Sequence, residues 1–408
     1  MPDTLGIYVS IPFCRAKCSY CNFASGVFGS ERMSVYVDRL TSEIRECQQR
    51  AGRGKLALPR NVDSIYFGGG TPSLLSSKQM QQIMGTLQEV FHVGPRAEVT
   101  LECAPGQLED DLLQALPNLG FNRVSLGVQS FIDREAAAVG RLHTRASTLL
   151  EIARLRSAGI HDINVDLIAG LPRQREASWR ESLDVAISTG VPHLSVYMLD
   201  VDADSRLGRE MLAGGTRYGV GLVPREEQIA AMYNEACERF AREGMAQYEI
   251  SNFARVGHQS RHNLKYWTRQ PYLGFGLDAH SFLFVPDGTA VRFGNTDNLD
   301  RYINGPAEEL LTAISATEAM EEAWFLGLRL ARGVSLAELE KKIGAAAMRA
   351  YRPILAECEQ QKLVERSGMH VRLTSQGRLF ANDVLERFLG VIREEDSKIE
   401  FMEQGALV

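Results

Sequence analysis

The 408-residue sequence has no apolar run approaching the ~18 residues that cross a bilayer, so no transmembrane helix is expected. Its start, Met1-Pro2-Asp3-Thr4, lacks the basic stretch and apolar stretch of a secretory signal. The expected compartment is therefore the cytoplasm. Charge of one sign is scarce as well. A net charge of −6 gives no general attraction to nucleic acid or membrane surfaces. There is no internal repeat and no low-complexity segment. Seven cysteines do not make a disulfide framework in a chain of this size. Three of them fall within eight residues, and Cys47, Cys103, Cys237 and Cys358 are scattered. Cys47, Cys237 and Cys358 lie in helix-like stretches and read as small apolar fillers.

What is present suits a globular protein of two or three domains, with 45% apolar residues. Strand-like runs rich in Val, Ile, Leu and Tyr occur at Gly6–Pro12, Asp63–Phe67, Ala97–Glu102, Arg123–Gln129, Asp162–Ala169 and Leu194–Leu199. Helix-like stretches separate them: Arg32–Gln49, Lys78–Phe91, Glu109–Leu116, Ala146–Ser157 and Ser178–Ser188, with Pro224–Glu243 after the last. This alternation predicts an α/β fold, a partial (β/α)6 TIM-like barrel with its functional groups past the C-terminal strand ends. We divide the chain into a barrel core (1–250), an extension (251–315), a C-terminal module (316–390) and a charged tail (391–408). The extension has little helical period. The module runs helix, helix, helix, strand pair, helix, the order of a winged helix. It carries eleven Lys and Arg against ten Asp and Glu, too even for a DNA-reading wing and better suited to packing or docking.

The stretch Cys14-Arg15-Ala16-Lys17-Cys18-Ser19-Tyr20-Cys21 follows the first strand. Thiolates are soft ligands that suit iron–sulfur clusters or zinc. A four-iron cluster usually takes four cysteines. Three local ones leave one iron open to a cofactor, and S-adenosylmethionine can fill that position through its amino and carboxylate groups. The chemistry supplied is one-electron cleavage of a sulfonium C–S bond. A structural zinc site is the alternative, but no second cysteine pair and no nearby histidine complete it. No further cysteine stands at position 23, which is Phe23.

Gly68-Gly69-Gly70-Thr71-Pro72 follows the second strand, where glycine lets the backbone approach a ligand. A simple tight turn is the alternative use. Glu102, Gln129 and Asp166 lie at or near the ends of the third, fourth and fifth strands, and Arg141 follows in Gly140-Arg141-Leu142-His143-Thr144. Such groups can converge on ribose hydroxyls, an amine and a carboxylate. Singly, each also reads as a helix cap or a surface ion pair.

Together, Tyr8-x5-Cys14-x3-Cys18-x2-Cys21, Gly68–Pro72, Gly127-Val128-Gln129-Ser130-Phe131, Gly140–Thr144 and Asn164–Pro172 resemble the oxygen-independent coproporphyrinogen III oxidase family of radical S-adenosylmethionine proteins. Phe23 and the run His262-Asn263-x-x-Tyr266-Trp267 resemble its HemW-type haem chaperone branch. The resemblance implies a [4Fe–4S] cluster on Cys14, Cys18 and Cys21. It implies S-adenosylmethionine contacts from Tyr8, Phe23, Gly69, Gly70, Thr71, Glu102, Gln129, Arg141 and Asp166. It makes His262 the candidate haem ligand, with His258 and His280 behind it; hydrogen bonding of a turn against the barrel is the other use of His262, Asn263 and Tyr266.

The function implied is that of a haem carrier, handing haem to an acceptor protein without coproporphyrinogen oxidase activity. The alternative is a radical enzyme acting on a tetrapyrrole by oxidation, methylation or ring opening. The implied partners are haem, a haem donor and acceptor and an electron donor for the cluster. No nucleic acid is expected, and peripheral membrane contact stays open. The sequence departs from the pattern at three places: Cys103-Ala104 where the family has x-Asn, Asp200 in place of a small apolar contact, and Leu277-Asp278 before Ala279-His280-Ser281.

Overall fold

The computed structural model describes residues 3–305 and 311–391. Six strands form its centre: β1 (Thr4–Ile11), β2 (Asn61–Gly69), β3 (His92–Cys103), β4 (Arg123–Gln129), β5 (Asp162–Ala169) and β6 (His193–Met198). They pair in chain order and all run parallel. Their faces are nearly continuously buried, as both sides of a parallel sheet must be. The helices expected between them are present as Ser30–Arg53, Ser77–Val90, Asp110–Ala115, Arg145–Ser157 and Glu176–Ser188. Capping boxes start two of them, Ser76 with Gln79 and Thr144 with Ser147. Their apolar faces and the strands share one core that includes Leu40, Phe67, Leu101, Leu126, Val165 and Trp179.

The barrel stays open. The second neighbour of β1 is β9 (Tyr272–Phe275), not β6. Beyond β6 the sheet continues through β8 (Asn252–Ala254) to β7 (Ala246–Gln247), both antiparallel. On the other flank, β10 (His280–Phe284), β11 (Ala290–Gly294) and β12 (Thr312–Ile314) add an antiparallel meander after β9. The extension is thus strand-rich, with two short helices among its described residues, Arg261–Trp267 and Leu299–Asn304. Two short helices absent from the sequence reading, Asp133–Ala138 and Arg206–Leu212, sit in the connections after β4 and β6.

The C-terminal module has the expected order: helix Ala316–Gly327, β13 (Val334–Ser335), helical run Leu336–Gln360, β14 (Val364–Ser367), β15 (His370–Leu373) and helices from Ser375. Gly344 has φ +82° and divides the long run into the two expected helices. A separate core holds the module, with the rings of Trp324, Tyr351 and Phe388 clustered at its centre: Trp324 stacks on Phe388 at 4.9 Å and lies tilted to Tyr351 at 5.3 Å, and Tyr351 and Phe388 are 6.3 Å apart. The charged tail lies outside the described residues, apart from Val391. No helix among the described residues is long and apolar enough to cross a membrane.

Candidate cofactor cavity

The loop after β1 carries the three cysteines and is fixed at several points. Cys14 N–H donates to the Gly26 carbonyl at 2.9 Å, and Gly26 N–H donates to the Pro12 carbonyl. Ser19 N–H reaches the Val139 carbonyl, and the Ser19 carbonyl accepts from Leu207 N–H at 2.7 Å. The Lys17 ammonium donates to the carbonyls of Phe23 and Ser25 at 2.9 and 2.8 Å. These bonds hold Cys14, Cys18 and Cys21 on the C-terminal face of the barrel.

There the thiols line a cavity of about 340 Å³. Phe23, Gly69, Gly70, Thr71, Glu102, Gln129, Arg141 and Asp166 line it too, so one cavity gathers all but one of the residues expected around the cofactor. The exception is Tyr8, which lies beside Tyr66 inside the barrel, next to Gly68. Asp200, set aside in the sequence, lines the cavity, as do Lys17, Tyr20, Ser125 and Tyr197. The strand alternation that puts Asn164 and Asp166 of β5 and their partners Ser125 and Gly127 of β4 on the same face of the sheet is the signal that could have found Ser125.

Two glycines are required by close approach. A side chain at Gly70 would lie 2.7 Å from the Phe13 carbonyl oxygen, and Gly69 has φ +102°. Gln129 ends β4 at φ +69°, an uncommon region for a residue with a side chain. The Thr71 hydroxyl is 3.9 Å from the Cys14 sulfur, and the Arg141 guanidinium is 3.6 Å from the Cys18 sulfur while also donating to the Gly127 carbonyl. His143 Nε2 bonds the Val128 carbonyl at 3.0 Å and so anchors the turn that carries Arg141. Burial, then the Arg141 charge, lowers the His143 pKa to about 4 and keeps the ring neutral.

Two buried carboxyls face the cavity. Glu102 accepts from the Tyr66 hydroxyl at 2.8 Å. Burial, with the Asp166 charge adding to it, pushes its pKa up to about 7. Asp166, three residues before the end of β5, accepts from Asn164 at 2.7 Å and Ser125 at 3.0 Å. Burial raises its pKa as well, against these hydrogen bonds. Burial also raises the Cys14 thiol.

The donor set fits the implied groups on two observations. Gln129 Oε1 and Arg141 Nε are buried without a hydrogen-bond partner, and buried polar atoms in that state call for a ligand. The three thiols also line one cavity, with Thr71 beside Cys14 and Arg141 beside Cys18. A four-iron cluster takes one thiolate per iron, so three thiols leave one iron for another ligand.

His262 lies elsewhere. It belongs to the helix Arg261–Trp267, which packs against the N-terminal half of β2, at the other end of the barrel. Its ring is fully buried, with Nδ1 bonded to Ser64 at 3.1 Å and Nε2 bonded to the Tyr266 hydroxyl at 2.8 Å. Burial lowers its pKa to about 3. In this arrangement neither ring nitrogen is free for an iron, and the geometry is that of the hydrogen-bonded turn. His280, in contrast, has an exposed side chain and lines a second cavity of about 530 Å³ with Phe293, Ile314, Phe325 and Leu389.

Residues 8–186 match the Radical SAM superfamily, and residues 314–380 match the HemN C-terminal domain. The chain is 33% identical to "Heme chaperone HemW" of Bacillus subtilis over 94% of this chain and 98% of that protein. It is 30% identical to the protein of that name from Escherichia coli over the same shares. The Synechocystis relative is 36% identical over 81% of this chain and 79% of its own. Among solved structures, coproporphyrinogen III oxidase (HemN) from Escherichia coli superposes with a TM-score of 0.80 at 23% identity, covering 96% of this chain and 91% of that one. That likeness shows the fold.

Proposed function

Because the chain belongs to the HemW heme chaperone family, we propose that it binds haem and passes it to an acceptor protein, and that it carries a [4Fe–4S] cluster with S-adenosylmethionine. The observation that carries the cofactor half is the single cavity that joins Cys14, Cys18 and Cys21 to Glu102, Gln129, Arg141 and Asp166. The three thiols would hold the cluster and leave one iron open. Arg141, positively charged at every working pH, suits the methionine carboxylate. Glu102 and Asp166 suit the amine and the ribose hydroxyls. Gly69, Gly70 and Thr71 offer backbone carbonyls, since the N–H groups of Gly70 and Thr71 donate to the Ile11 and Phe13 carbonyls.

Phe23 stands at the mouth of the cavity with 59% of its surface exposed, and Leu142, beside Arg141, is 63% exposed. Phe23 and the half-exposed Tyr197 give the mouth an apolar rim suited to a flat, apolar ligand. For haem iron, imidazole is the fitting ligand. His280 presents its ring, whereas His262 must first give up Ser64 or Tyr266. The compartment we assign is the cytoplasm, with a reductant for the cluster as a further partner.

Titration of the purified protein with haem, followed by the Soret band, tests the haem half. Saturable binding that is lost in one of His280→Ala and His262→Ala supports it and names the ligand. No saturable Soret change in the wild type sinks it. Anaerobic incubation with coproporphyrinogen III and a reductant tests the enzymatic alternative, for which the expected product, protoporphyrinogen IX, should not form.

A further inference from the structure

The barrel interior beneath the cavity is filled by polar side chains that connect the two cavity carboxylates to one helix. On one side, Tyr66 donates its hydroxyl to Glu102 at 2.8 Å. The Tyr66 ring lies on the His262 imidazole, with centroids 5.3 Å apart and planes 25° apart. His262 is then fixed by Ser64 and Tyr266, and its backbone N–H by the Glu98 carboxylate at 3.1 Å. Glu98 also accepts from Arg261 N–H, so one buried carboxylate holds the start of the helix Arg261–Trp267 against β3.

On the other side, Asp166 accepts from the Asn164 amide at 2.7 Å. The Asn164 carbonyl oxygen accepts from His193 Nδ1 at 2.6 Å, and His193 Nε2 accepts from the Tyr248 hydroxyl at 2.8 Å. Tyr248 accepts in turn from the N–H of Ser260, the residue that caps the same helix. Burial holds His193 neutral, which fixes this donor order. Two separate chains therefore begin at the cavity and end on one seven-residue helix.

We propose that this helix is the support of the cofactor cavity, with Tyr66 and His262 positioning Glu102, and Asn164 positioning Asp166, for S-adenosylmethionine. The inference rests on the cofactor reading and gives the His262–Trp267 motif a role independent of haem. A buried carboxylate that can rotate loses its directed bonds to a ligand. Removing the Tyr66 hydroxyl deprives Glu102 of a charge-assisted hydrogen bond, and that reads as about a tenfold loss of affinity.

The test uses the full chain with its cluster reconstituted anaerobically. The dissociation constant for S-adenosylmethionine is measured by equilibrium dialysis for wild type, Tyr66→Phe, Asn164→Ala and His262→Ala. The electron paramagnetic resonance signal of the reduced cluster, which responds to cofactor at the open iron, is followed in the same samples. The expected result is a rise of about tenfold for Tyr66→Phe, a variant that keeps the stacked ring. Cluster content should stay at the wild-type value with at most a small fall in melting temperature, and the signal should respond only at proportionally higher cofactor. Should His262→Ala fail to fold, Ser64→Ala removes one of its two ring bonds and should raise the constant in the same direction. If the wild type binds cofactor and Tyr66→Phe and Ser64→Ala both stay within twofold of it, the inference is overturned while the cofactor reading stands. If the wild type binds none, the cofactor reading falls and this inference with it.

Discussion

Replacing Glu102 by glutamine removes a charge that the fold holds at a cost. Burial raises the pKa of this carboxyl from 4.5 to about 7. A carboxyl whose folded pKa is the higher one binds its proton more tightly in the folded state. Its stabilising effect is complete below about pH 4.5, declines as pH rises and is gone above about 7. The span corresponds to roughly 3 kcal/mol. His143 and His262 act in the opposite direction. Their pKa values are lowered to about 4 and about 3, so their contribution is lost as pH falls below 6.5. The difference between wild type and Glu102→Gln cancels the two histidines. Urea unfolding without S-adenosylmethionine should show the variant gaining on the wild type from pH 5 to pH 8, by up to about 3 kcal/mol. The same variant should bind S-adenosylmethionine more weakly, so stability and cofactor affinity move in opposite directions. A constant difference across this pH range would refute the burial argument.

Other expectations concern different parts of the molecule. Gly70→Ala places a methyl 2.7 Å from the Phe13 carbonyl oxygen and should disturb the loop that leads to Cys14; iron content after anaerobic reconstitution should fall well below wild type. Trp324→Ala empties the centre of the C-terminal core, where the ring is fully buried. It should cost roughly 3–5 kcal/mol, read as an early transition in thermal unfolding. Ser315→Ala breaks the capping box with Glu318 at the start of that module and should cost about 1 kcal/mol by the same measurement. By nuclear magnetic resonance, the His143 and His262 rings should show no titration between pH 5 and 8, because burial keeps both neutral.

The six parallel strands were legible because they are largely buried on both faces and read as short apolar runs, several of which end in Gly or Pro. The cysteine spacing and the glycines were legible because they are local. The flank from Tyr272 to Ile314 was not, since its strands are only three to five residues long and separated by turns. Tyr66 was hidden inside a strand, where nothing in its neighbours says that its hydroxyl reaches Glu102. His262 illustrates the same limit. Its spacing to Tyr266 shows that the two share a helix face, but not which end of the barrel that face meets. Only the fold reveals that the motif closes the barrel beneath the cavity.

The central claim is haem carriage, and transfer tests it most directly. Haem-loaded protein is mixed with apomyoglobin as a probe acceptor, and the Soret band is followed until the acceptor is saturated. The account predicts one haem bound per chain and its quantitative movement to the acceptor, with Cys14, Cys18 and Cys21 needed for the cluster. Absence of bound haem, or conversion of coproporphyrinogen III under reducing anaerobic conditions, would contradict it.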